Sequence, residues 1–245
     1  NALDGNASEV INASTITTLT GAAADINTAY ASDGITGLGD EAVTLSDTTL
    51  TTSTLSTLNE NTTGVIDAST VTTLTGTADE ISTILASDGI TFGAEVGATI
   101  SDTSIAASTL TTIDGLTTGN VVATVSSVTG TTAEANTAYS SGLLQGTEAV
   151  TVSDTTITAS ALNTLDGNTT GTVDGSTIKT ITGTGADALT AFESAGISGL
   201  TFDASSYIAS HTDLLDAFGS DLTSARTHYF AFGAGEGRSF DSFDE

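Results

Sequence analysis

Acidic side chains at recurring spacing are the feature of this sequence whose chemistry could build a site. Asp4, Asp114 and Asp166 recur in the related tetrads Leu3-Asp4-Gly5-Asn6, Ile113-Asp114-Gly115-Leu116 and Leu165-Asp166-Gly167-Asn168. Leu58-Asn59-Glu60-Asn61 holds the same place with an amide in the aspartate position. A second file, Asp47, Asp102 and Asp154, follows Ser46, Ser101 and Ser153. Carboxylate and carbonyl oxygens are the ligands hard cations take, so Ca2+ is the ion these six aspartates could hold. The primary expectation is plainer: Asp-Gly and Ser-Asp form turns at chain corners without any ion.

Other chemistry is thinly represented. There is no cysteine, so no thiolate nucleophile, disulfide framework or zinc cluster. His211 and His228 both fall near the carboxyl end, and no serine sits in a Gly-x-Ser-x-Gly elbow. Gly233-Ala234-Gly235-Glu236-Gly237 lacks the lysine and the spacing of a phosphate loop. We therefore expect no catalytic residue, no cofactor site and no enzyme. The charge excludes further classes. Three Lys+Arg against 30 Asp+Glu give a net charge of −27, and residues 1–178 contain no cationic side chain at all. Such a chain repels nucleic-acid phosphates and anionic membrane surfaces alike. Nor does any apolar run approach the roughly 18 residues of a membrane span.

The elements that would position these acids come from a repeat. The tetrads recur at offsets of 55, 55 and 52, and Leu19-Thr20-Gly21, Leu74-Thr75-Gly76, Val128-Thr129-Gly130 and Ile181-Thr182-Gly183 keep step with them. A fixed period of this kind signals stacked units. Each repeat divides into two comparable coils. Val65 to Ser69 and Thr70 to Leu74 are short and rich in β-branched residues, as strands are. Ala78 to Leu85 then places Ile81, Ile84 and Leu85 on one helical face, with Thr77 and Glu80 as a capping box and Gly89 as its end. The other coil reads Ala42 to Leu45, Thr48 to Thr51, then a short helix from Ser53 to Leu58 followed by an Asn-rich turn.

Stacking such coils predicts a parallel β-solenoid of strand-strand-helix coils, with strands about 4.8 Å apart. Its four repeats of about 55 residues are placed near 3–57, 58–112, 113–164 and 165–201. This acidic Thr-rich region, 1–201, is followed by a small α-helical module at 202–245, where threonine thins out and aromatics concentrate. There the pattern predicts helices from about Ala204 to Phe218, ending at Gly219, and from Asp221 to Phe232, ending at Gly233. The module would cap the last coil or mediate a contact between subunits.

The phrases LNTLDGNTTG (Leu162 to Gly171), VIDASTVTTLTGTADEI (Val65 to Ile81) and GLGDEAVTLSD (Gly37 to Asp47) resemble repeats of very large, acidic, Thr-rich surface or secreted proteins of cyanobacteria and other marine bacteria. The likeness covers about residues 1 to 200. The tail from Tyr207 resembles a short module of exported bacterial proteins that often accompanies calcium-binding RTX repeats. This resemblance implies an extracellular or cell-surface protein with a structural or adhesive role and leaderless export. It carries over no catalytic residue, and the RTX nonapeptide itself is absent.

Together these readings point to a secreted structural protein whose subunits stack head to tail into a filament, sheath or matrix fibre. Its partner would be itself, with cell-surface or matrix components also in view. The chain opens inside a repeat, at Leu3-Asp4-Gly5-Asn6, which leaves a first rung able to accept another subunit. The alternative is a passive spacer within a large surface adhesin, stabilised by calcium.

Overall fold

The computed structural model describes residues 5–7 and 9–240. Its fold is α/β, with short parallel strands and short helices alternating along the chain. The coil around Val65 shows how the sequence produces this. Strand β6 (Ile66–Ala68) buries Ile66 and Ala68, and β7 (Thr73–Gly76) buries Leu74. Helix α3 (Ala78–Leu85) then buries Ala78, Ile81 and Ile84, with Leu85 partly buried against the same core. Its capping box forms as the sequence suggests: Thr77 N donates to Glu80 Oε2 at 2.9 Å, and Glu80 N donates to Thr77 Oγ1. The helix stops at Leu85, short of Gly89, and Ala86 closes it.

Contacts divide the chain into two compact units. One comprises Asn1–Asp102 with Thr109–Thr124, and the other Thr103–Ser108 with Val125–Glu245. In the first, β1 (Ile11–Asn12) pairs with β3 (Ile35–Thr36). A second ladder runs β2 (Thr18–Gly21), β4 (Ala42–Leu45), β6, β8 (Ile90–Phe92), and a third runs β5 (Thr49–Thr51), β7, β9 (Gly97–Ile100), β11 (Val121–Ala123). In the second unit, β10 (Ser104–Ala106), β12 (Ser127–Gly130), β13 (Ala149–Val152), β15 (Val173–Asp174) and β17 (Ile197–Ser198) form one sheet. There β14 (Thr156–Thr158) pairs with β16 (Thr180–Thr182).

All these ladders are parallel, and partners lie 22 to 24 residues apart, as in Leu19↔Val43, Val43↔Ile66 and Val128↔Val150. Like therefore stacks on like: Leu50 on Leu74, Ile66 on Ile90, Ile157 on Ile181. In the first unit Val43, Leu45, Leu55, Leu58, Ile66 and Leu74 are essentially inaccessible. Each such side chain contributes about 1.5–3 kcal/mol by leaving water.

Threonine hydroxyls knit neighbouring coils. Thr70 Oγ1 donates to the carbonyls of Leu45 and Asp47, and Thr177 Oγ1 to those of Val152 and Asp154. Thr62 and Thr169 donate to the carbonyls of Glu41 and Glu148, each at 2.7 Å. The glycine that follows each Thr-Thr pair is required by close approach, because a Cβ on Gly64 or Gly171 would sit 2.2 Å from that same carbonyl oxygen.

The Asn-rich segment is not a turn: α2 runs Thr52–Asn61, so Asn59, Glu60 and Asn61 form its last helical turn. Asp114-Gly115 and Asp166-Gly167 likewise lie inside α4 (Ala107–Leu116) and α6 (Ala159–Asn168). Tertiary bonds brace the last turns of α2 and α6. Asn61 Nδ2 donates to Asn27 Oδ1 on α1 (Ala23–Tyr30), and Asn168 Nδ2 to Asn136 Oδ1 on α5 (Thr132–Ser140).

The predicted helix over Ala204 to Phe218 is instead two, α8 (Ala204–Ala209) and α9 (Thr212–Phe218), because His211 leaves helical geometry and its Nδ1 bonds the Tyr207 carbonyl. Gly219, at φ +58, ends α9 as expected. The last helix, α10 (Leu222–His228), passes into a π-helical turn at Tyr229–Gly233. Within the second unit this tail packs on α7 (Gly185–Glu193) and β16. Phe192, Phe202, Tyr207, Tyr229, Phe230 and Phe240 form one aromatic cluster. Tyr229 Oη donates to the Ile181 carbonyl, Phe240 N to Lys179 O, and Thr180 bridges antiparallel to Ser239. Among the described residues no helix is long and apolar enough to cross a membrane.

Candidate functional site

The Ser-Asp file has a definite structural task. Asp47 Oδ2 accepts the backbone N–H of Ala23 at 2.8 Å, Asp102 Oδ2 that of Ala78 at 2.7 Å, and Asp154 Oδ2 that of Thr132 at 2.7 Å. Those three N–H groups open α1, α3 and α5. Each carboxylate thus satisfies an orphan donor and faces the positive end of a helix dipole supplied by the preceding coil. In the other file, Asp166 Oδ2 accepts Ser194 Oγ at 2.6 Å, Asp114 is exposed, and Asp4 lies outside the described residues. The structure therefore gives Asp47, Asp102, Asp154 and Asp166 separate partners. Among the described residues no three His, Cys, Asp or Glu side chains gather as metal ligands.

The histidines are equally local. His228 Nδ1 lies 3.0 Å from Tyr207 Oη and His211 Nδ1 2.9 Å from the Tyr207 carbonyl, both within the tail.

A different constellation escaped the sequence reading. Glu41 and Glu148 are almost completely buried, at 0% and 1% exposure. Tyr30, the last residue of α1, donates its hydroxyl to Glu41 Oε2 at 2.9 Å, and Gly39 N donates to the same oxygen at 2.8 Å. Tyr139 near the end of α5 repeats this with Glu148 Oε2 at 3.2 Å, and there the N–H groups of Gln145, Gly146 and Thr147 also converge on the carboxylate. Burial pushes both carboxylates up, but the converging N–H donors, joined at Glu41 by the Tyr30 hydroxyl, outweigh it and leave them below their ordinary value. Burial also raises the two phenols, to about 12.

The intervening repeat lacks the pair. At the offset of 55, Leu85 stands for Tyr30, Val96 for Glu41 and Leu116 for Asn61. Where the ring spans to glutamate at Tyr30 and Tyr139, a cleft of about 440 Å³ opens between Leu85, Ile90, Phe92, Val96 and Leu116. The available signal was joint substitution: Tyr30 occurs with Glu41 and Tyr139 with Glu148, and at the intervening position both are replaced together, by Leu85 and Val96.

No family model, no curated protein and no solved structure matches this chain.

Proposed function

We propose that the chain is an extracellular structural protein, a parallel β-solenoid of four repeats whose subunits join end to end into a filament, sheath or matrix fibre. The observation that carries this reading is the ladder register, in which like residues stack at a 22 to 24 residue interval. Such a stack has no built-in length and is extended by adding coils. Among the described residues β1 pairs only with β3 and β2 only with β4, so both keep an unpaired edge. Val10 and Ile16 near that edge are exposed, as are Leu215, Leu222 and Phe232 on the helical tail. A contact between the first edge of one copy and the tail of the next is heterologous and propagates.

One observation favours the second reading, a spacer within a larger adhesin. Ser239 and Phe240 occupy one side of β16, which stops strand-to-strand growth there. Negative-stain microscopy across a concentration series, in calcium and in chelator, separates the two. The filament reading expects fibres of uniform width. Monodisperse short particles under every condition overturn it in favour of the spacer.

A further inference from the structure

We propose that the cleft in the second repeat is a binding site for a small uncharged aromatic molecule of the phenol class. The proposal is independent of end-to-end assembly. It rests on what the protein itself places at the equivalent position. In the first repeat the space between the end of α1 and the start of β4 holds the Tyr30 ring, with its hydroxyl 2.9 Å from Glu41. In the third repeat Tyr139 does the same toward Glu148. In the second repeat the backbone frame is retained: α3 ends at Leu85, and Thr117 donates its hydroxyl to the Val96 carbonyl as Thr62 and Thr169 do to those of Glu41 and Glu148. At the offset of 55, Leu85, Phe92, Ala94, Val96 and Leu116 replace Tyr30, Gly37, Gly39, Glu41 and Asn61, so this frame holds no tyrosine ring.

The vacated volume suits such a guest. An enclosed apolar cavity of about 150 Å³ lined by Leu, Ile and Phe already takes benzene. At about 440 Å³, and open on one side, this cleft has room for a ring with a short substituent. Leu85, Ile90, Phe92, Val96 and Leu116 supply the apolar wall, and Phe92 offers a ring for edge or face contact. Thr91, Thr117 and Thr118 bring polar groups to the lining, where a phenolic hydroxyl finds a partner. An anionic ligand is disfavoured: the chain carries a net charge of −27, and exposed Glu95 adjoins the lining residues Ala94 and Val96.

The test is a titration of the isotope-labelled full chain with p-cresol, followed by amide chemical shifts up to about 10 mM, with benzoate as the charged comparator. Saturable shifts confined to residues 85–96 and 115–118, with benzoate at least tenfold weaker, are expected. The double variant Leu85→Tyr/Val96→Glu rebuilds the filled arrangement of the flanking repeats and should lose binding at least tenfold. If that variant does not fold, Leu85→Phe fills the cleft without adding charge and should show the same loss. Absence of saturable shifts at these residues overturns the proposal. So does binding that survives the filling variant, or shifts centred on half-buried Phe218 and exposed Phe232 of the tail.

Discussion

Tyr30 and Glu41 should behave as one energetic unit, and a double-mutant cycle measures that. Glu41 is fully buried; its Oε2 takes hydrogen bonds from Tyr30 and Gly39, while Oε1 has no partner among the described residues. Tyr30→Leu therefore leaves a buried carboxylate with one donor fewer. A hydrogen bond to a charged group contributes about 1.5–3 kcal/mol, and loss of the half-buried ring adds about 1 kcal/mol, so the single variant should cost about 2–4 kcal/mol. Glu41→Val strands the phenol hydroxyl and the Gly39 N–H, at a cost of about 1–3 kcal/mol. The double variant removes both ends at once and reproduces the Leu85 and Val96 arrangement that the second repeat already uses. Exchanging a buried polar pair for apolar side chains is often neutral, so it should cost less than the sum of the singles by about 1–3 kcal/mol. Urea unfolding of the full chain, followed by circular dichroism at 222 nm, supplies the four free energies. Additivity within about 0.5 kcal/mol refutes the reasoning and makes the paired substitution in the second repeat unrelated to this contact.

Asp102→Ala should destabilise by about 1–2 kcal/mol and reduce hydrogen-exchange protection at the start of α3, because Ala78 N–H loses its acceptor; Asp102→Asn, which keeps an acceptor oxygen, should lose much less. Stability should depend on pH at both extremes. Glu41 and Glu148 titrate below their unfolded value, so their contribution is complete above about pH 4.3 and is lost as pH falls through the folded pKa; Glu148→Gln should blunt that acid limb of the urea midpoint. Tyr30 and Tyr139 titrate near 12, above the unfolded phenol, so their contribution is complete below about pH 10 and is lost as pH rises toward 12; ultraviolet titration of the phenolates should report it. Tyr229→Phe should cost about 1 kcal/mol by removing the donor to the Ile181 carbonyl, and limited proteolysis should then release the tail sooner.

Local signals carried the individual elements well. The span Ala42–Leu45 is a strand, Ala78–Leu85 a helix and Thr77 with Glu80 its capping box, because each depends on side chains within four residues. The last turns of α2, α4 and α6 were misread for the complementary reason. Asp-Gly and Asn-rich sequences favour turns in isolation, and the contacts that brace the last turns of α2 and α6, Asn61 to Asn27 and Asn168 to Asn136, join residues far apart in sequence. The same distance hid the role of Asp47, Asp102 and Asp154. Their recurrence was visible, but their partners are backbone N–H groups 22 to 24 residues earlier, which no side-chain pattern marks. Glu41 and Glu148 were hidden by composition: in a chain this acidic, two more glutamates are marked in the sequence only by occurring together with Tyr30 and Tyr139, and in the structure by their burial.

The acidity itself follows from how these carboxylates are held. With three cationic side chains in the sequence, carboxylates have little opportunity for ion pairs, and Arg238 with Asp213 is a bidentate instance. Their positive partners are instead backbone N–H groups. Asp203 and Asp221 cap α8 and α10, Glu80 and Glu134 close capping boxes, and Asp47, Asp102 and Asp154 meet helix starts across a coil. Helix N-termini carry about half a positive charge each and cannot be deprotonated, so a repeat that supplies a helix start in every coil supplies a counter-charge with it. An acidic surface can then be ordered without lysine or arginine. Asp47, Asp102 and Asp154 recur with every second helix, because the first N–H groups of α1, α3 and α5 take these carboxylates as acceptors.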